Sequence, residues 1–209
     1  MNRIQSFFIA VVLFITTFSY SQSFERTNEI GLFVAPGTQF LTGVNYLSPG
    51  SRNLTLAFGG FYMRPFSENF KWKAGLSGAY EFTKNEFVNQ STKSINYTVL
   101  YLEIPVQFQY IINPSNRFQV YGGLGINLRR KFSTKSTFHS TNGDVSSTTI
   151  RNQKIAMEVL PVFLLGFNLE INDQLTLFLQ PEYRPISIEK LTNTRLRNFN
   201  AQLGFSYRL

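Results

Sequence analysis

The chain has 209 residues, with 20 Lys and Arg against 12 Asp and Glu, one His and no Cys. The absence of cysteine excludes a disulfide framework, a zinc–thiolate site and a lipidated N-terminal Cys. The size suits one domain. The 22 Phe and 10 Tyr favour strands and membrane-interface belts over a helical core.

Arg3 opens a positive start, and residues 7–18 (FFIAVVLFITTF) form an uncharged apolar run. Ser19 and Ser21 put small residues where a signal peptidase reads. The run is shorter than the roughly 18–20 residues that a spanning helix needs, so 1–21 is expected to be a signal peptide cleaved near Ser21/Gln22. Residues 22–209 then form one exported domain. A pI near 9.8 is compatible with nucleic acid, but export argues against that partner.

Eight segments alternate with period two, as strands with one apolar face do. In chain order they are about 28–36, 53–64, 70–83, 96–112, 117–130, 154–171, 174–185 and 199–209. The third is clean: Trp72, Ala74, Leu76, Gly78, Tyr80 and Phe82 alternate with Lys73, Gly75, Ser77, Ala79 and Glu81. The last sets Phe199, Ala201, Leu203, Phe205, Tyr207 and Leu209 against Asn200, Gln202, Gly204, Ser206 and Arg208. Connections after even segments are short, and those after odd segments are longer. The longest, 131–153, is rich in Ser and Thr and is expected to be a surface loop. Short turns on one side and long loops on the other is the layout of an outer-membrane barrel. The fold expected is all-β: an eight-stranded antiparallel up-and-down transmembrane β-barrel. The apolar face is too bulky for an eight-strand interior, which weighs against a soluble lipocalin-like binder.

The polar face then points inward. It carries Glu81, Glu103, Glu158, Glu170 and Glu182 against Lys73, Arg129, Arg184 and Arg208. Buried charges are tolerated when paired, so these are expected to form an internal polar network that fills the barrel. A narrow channel or small-ligand transporter is the alternative.

Segment four contains Tyr101-Leu102-Glu103-Ile104-Pro105, and segment five reads FQVYGGLGIN over 118–127. These two stretches resemble the PorT-like outer-membrane β-barrel family of Bacteroidetes-type bacteria. The resemblance implies a cell-envelope role, and the family's namesake is associated with a protein secretion system. Read on its own, Pro105 lacks an N–H and is expected to mark a bulge or kink. Gly122, Gly123 and Gly125 leave room for close backbone approach.

No nucleophile elbow, P-loop or metal-ligand cluster stands out, and the one histidine, His139, lies far from any catalytic partner in sequence. No enzyme activity, cofactor or metal is assigned. Basic residues gather on the long-loop side, among them Arg129, Arg130 and Lys131. These three are candidate contacts to lipopolysaccharide phosphates. The segment 131–153 is the candidate surface for envelope protein partners, and outer-membrane lipid is the expected surround.

Overall fold

A computed structural model describes residues 27–42, 52–86, 92–151, 157–185 and 195–209. The expected signal peptide, 1–21, lies outside the described residues. Nine strands run β1 Glu29–Thr42, β2 Arg52–Pro65, β3 Phe70–Glu86, β4 Thr92–Ile111, β5 Phe118–Ser140, β6 Val145–Arg151, β7 Glu158–Glu170, β8 Leu175–Arg184 and β9 Arg195–Arg208. Eight of them close an antiparallel barrel in which β9 pairs β1 and β5 pairs both β4 and β7.

The ninth strand corrects the sequence reading. Residues 131–153 were expected to be a loop, yet β5 continues to Ser140 and β6 returns along it, from Ser133–Arg151 to His139–Val145. The lower half of β5 pairs β7 up to Arg129–Glu158, and the upper half pairs β6. With a rise of ~3.3 Å per residue, this hairpin spans roughly 25 Å along the strand, and β4 flanks it from Leu100–Ser133 to Thr92–Ser140. Ser and Thr dominate it because no core lies behind it to demand an apolar face, while the backbone still pairs.

The register defines the barrel geometry. Paired positions lead from Glu29 through Met63, Lys73, Gln107 and Gly125 to Val162; extending the β7–β8 register one residue past Phe163–Tyr183 reaches Arg184, and Asn198 then leads back to β1 at Gln39, ten residues further on. An offset of that size over eight strands tilts them by about 40° from the axis. Outward positions carry Leu32, Leu56, Phe58, Leu76, Phe108, Leu124, Phe163, Leu177 and Leu203, each well exposed. Aromatic pairs cluster towards the short-turn end: Tyr62–Trp72 at 5.6 Å, Phe70–Tyr110 at 5.0 Å and Phe118–Phe167 at 5.9 Å between ring centroids.

The short turns are closed by polar side chains that accept backbone hydrogen bonds. The Ser67 Oγ accepts from the Phe70 N–H at 3.1 Å, Asn113 Oδ1 from Val120 at 2.8 Å, and Asn172 Oδ1 from Leu175 at 2.7 Å.

Pro105 makes no bulge. It pairs Asn127 on β5 in register, and the register shifts of this ladder lie elsewhere, at Thr92/Ser94 and Leu100/Tyr101. What the missing N–H does is interrupt the ladder to β3, which runs from Ala74–Val106 to Ser77–Glu103 with no slip between. Pro36 and Pro181 act alike: the β1–β9 ladder steps from Val34–Leu203 to Gly37–Asn200, and β7–β8 from Leu164–Glu182 to Phe167–Leu179. Each proline costs rungs on one side and keeps full pairing on the other.

Candidate functional site

The inward face is built in polar tiers. At the short-turn end Lys71 Nζ donates to Glu29 at 2.8 Å, and Ser206 Oγ donates to the other Glu29 oxygen at 2.7 Å. Beside them Arg208 pairs with Glu170, which also accepts from Gln119 at 3.1 Å. Arg208 is partly exposed there rather than sealed in the interior. The Glu29–Lys71 pair escaped the sequence reading. Glu29 sits at the edge of the first apolar run, and only the register through β2, Glu29–Met63–Lys73, sets it near Lys71 of β3.

Lys73 comes next, 2% exposed, and its partners include no carboxylate. Its ammonium lies 4.2 Å from the Phe61 ring centroid, 4.8 Å from Phe178 and 5.6 Å from Phe33. It donates to Gln202 at 2.9 Å and to Gln180 at 3.5 Å. An aromatic cage of this kind attracts a cation through the ring quadrupoles. Inward-facing Phe33, Phe61 and Phe178 break the simple polar-in pattern, and this is why the cage could not be read from alternation.

Glu182 is the hub of the middle tier. It accepts from Gln107 at 2.7 Å, Gln180 at 2.7 Å, Gln202 at 2.6 Å and Arg184 at 3.2 Å. Arg184 reaches on to Glu103 at 3.4 Å, and Asn127 donates to Glu103 at 2.7 Å. The Tyr121 hydroxyl donates to Gln180 at 3.0 Å. Its ring lies where a Gly166 side chain would be, so that glycine is required by volume. Gln180 and Asn127 are 0% exposed, and Glu182 and Gln107 are 1%.

At the far end Arg129, 1% exposed, bonds Glu81 at 2.5 Å, pairs with Glu158 and stacks over Tyr101 at 4.3 Å. This corrects one expectation. Arg129 cannot serve as a lipopolysaccharide contact, because its guanidinium is spent inside the barrel. Arg130, the next residue, alternates to the outer surface and is exposed; Lys131 is half-buried near the rim. His139 lies on the hairpin, 3.2 Å from the Asn96 side chain. Among the described residues no cluster of His, Asp and Glu could hold a metal ion.

Comparison with known proteins follows the same line. The family model described as outer membrane protein beta-barrel domain matches residues 7–208. The structure is similar to OprG from Pseudomonas aeruginosa, with 15% identity, a TM-score of 0.51, and 88% of this chain and 95% of OprG covered. It is also similar to Ail, the attachment invasion locus protein of Yersinia pestis, in complex with the heparin analogue sucrose octasulfate. There the identity is 17% and the TM-score 0.45, with 89% of this chain and 100% of Ail covered. No curated protein matches the chain. The apolar outer surface faces lipid, and the protein resides in the outer membrane. This chain belongs to the outer membrane protein beta-barrel domain family.

Proposed function

We propose that this protein is a non-enzymatic interaction protein of the cell envelope, working through its outer surface while the interior serves as a structural plug. The observation that carries this reading is the pair formed by a buried, mutually hydrogen-bonded middle tier, centred on Glu182, and a β5–β6 hairpin that continues past the last β5–β7 pair at Arg129–Glu158. A plugged barrel leaves the outside as the place where recognition happens. Partners then meet the hairpin, and Arg130 and Lys131 at its base supply charge-assisted hydrogen bonds to lipopolysaccharide phosphates.

The test removes the hairpin. Replacing residues 133–150 by a two-residue turn is expected to leave a folded, heat-modifiable barrel in the outer membrane and to abolish cross-linking of the surface to its envelope partners. Unchanged cross-links would sink the proposal. For the rim, R130A/K131A is expected to lower the lipopolysaccharide that copurifies; equal amounts would remove these two residues from the account. A finer assignment, a PorT-like role beside a secretion system, rests on the Tyr101–Pro105 and 118–127 resemblance. It predicts that a deletion strain loses secreted proteins from the medium.

A further inference from the structure

At the outer mouth of the barrel, four neighbouring strands each place one inward side chain in a single row. Arg184 on β8 lies across from Asn198 on β9, and Asn198 lies across from Gln39 on β1. Extending the β1–β2 register one residue past Thr38–Leu54 adds Asn53. Each of the four carries a buried polar atom with no hydrogen-bond partner: Arg184 Nε, Asn198 Oδ1, Gln39 Nε2 and Asn53 Oδ1. Among the described residues seven such atoms occur, so four of them standing side by side is a cluster rather than scatter.

Buried polar atoms of folded proteins are nearly always paired, because leaving one unpaired costs free energy. In the tier below, Gln107, Gln180 and Gln202 all bond Glu182, and a single atom there, Asn127 Oδ1, stands unpaired. Most side-chain amides are therefore satisfied in the floor, whereas four unpaired atoms stand together at the mouth. Gln39, Asn198 and Arg184 are 6%, 4% and 6% exposed, and Asn53 at the outer end is half-buried.

The row reads donor, acceptor, donor, acceptor from Arg184 to Asn53. A hydroxyl group both donates and accepts, so adjacent hydroxyls of one sugar ring match such a sequence. An anion fits poorly. The two cations of this level are already engaged, Arg184 with Glu103 and Glu182, Arg129 with Glu81 and Glu158.

We propose that this row is a carbohydrate subsite, which takes one neutral sugar ring at the extracellular mouth. Asn198 and Gln39 exchange hydrogen bonds with neighbouring hydroxyls, and Arg184 Nε donates to a third. The site is separate from the hairpin and does not depend on it.

The experiment uses the protein in a detergent without a sugar headgroup. Side-chain amide resonances are followed by NMR during titration with glucose, galactose and N-acetylglucosamine, with solubilised lipopolysaccharide, and with inorganic phosphate. The expected result is a saturable shift of the Gln39 and Asn198 amides, with Gln107 and Gln180 unmoved. The affinity should fall about tenfold in N198L or Q39L. Should these variants lose the heat-modifiable band, N53A at the exposed end serves in their place. Shifts with free sugars mark a soluble glycan as the source, and shifts with lipopolysaccharide alone mark its core sugars. No saturable shift with either up to about 100 mM sugar, or saturation by phosphate instead, overturns the proposal.

Discussion

Glu182 and Lys73 show how differently two buried charges can be held in one barrel. Glu182 has four donors, and Lys73 has three phenyl rings and two amides. Removing the carboxylate takes the acceptor from the Gln107 and Gln202 amides, leaves Gln180 only its bond to Gln107, and takes one of the two carboxylates from Arg184. E182L is therefore expected to lose about 3–5 kcal/mol of stability, read from urea unfolding in lipid vesicles. Lys73→Met is expected to stay within about 1 kcal/mol of the native protein in the same assay, because Met suits a phenyl cage and no carboxylate is abandoned. Lys73→Glu should fail to give a folded barrel, since it points a carboxylate at the negative ring faces. At Gly166 the reason is steric: a Val there displaces the Tyr121 ring and breaks its hydrogen bond to Gln180, measurable as a lower unfolding midpoint. The inward position of Glu182 was legible from alternation with Leu177, Leu179 and Tyr183. Two of its four partners were not, since Gln107 comes from β4 and Gln202 from β9, and only the register decides which residues of those strands it meets.

The prolines set the behaviour of the strands. Pro36 and Pro181 interrupt the ladders on the two outer sides of the β8–β9 hairpin, while its own ladder runs unbroken from Leu175–Tyr207 to Arg184–Asn198. Backbone amide exchange is therefore expected to be faster for Val34–Gly37 and Leu164–Phe167 than for the facing stretch of β8–β9. Equal protection would mean that the missing rungs carry no weight. The β5–β6 hairpin was not legible in the sequence, because a strand pair with no core behind it has no period-two apolar signal. Pro105 was misread for a related reason. A missing N–H shows that one hydrogen bond is lost but not which neighbour loses it.

The whole barrel is closed at mid-height. Lys73, Gln107, Gln180, Glu182, Gln202 and Tyr121 come from five strands and are each at most 2% exposed. Reconstituted in a planar bilayer, the protein is expected to show no steady conductance. A Q107A/Q180A/Y121A variant, which empties part of this tier, is the control that should begin to leak ions. Conductance in the native protein at the level of that variant would restore the channel reading. On a gel, the unboiled protein is expected to run faster than the boiled one, as a closed and detergent-resistant barrel does.

Alternation, turn residues and the spacing of short and long connections were enough by themselves to determine an eight-stranded barrel, its apolar outer face and the inward direction of its charges. Those features are local, each set by the two-residue period of a single strand. Partnership was decided only by the tertiary structure. The ten-residue offset around the barrel sets Asn198 between Arg184 and Gln39, while the ladders through β2 and β4 bring Lys71 to Glu29 and Arg129 to Glu81. That offset belongs to the closed sheet and is written in no single strand.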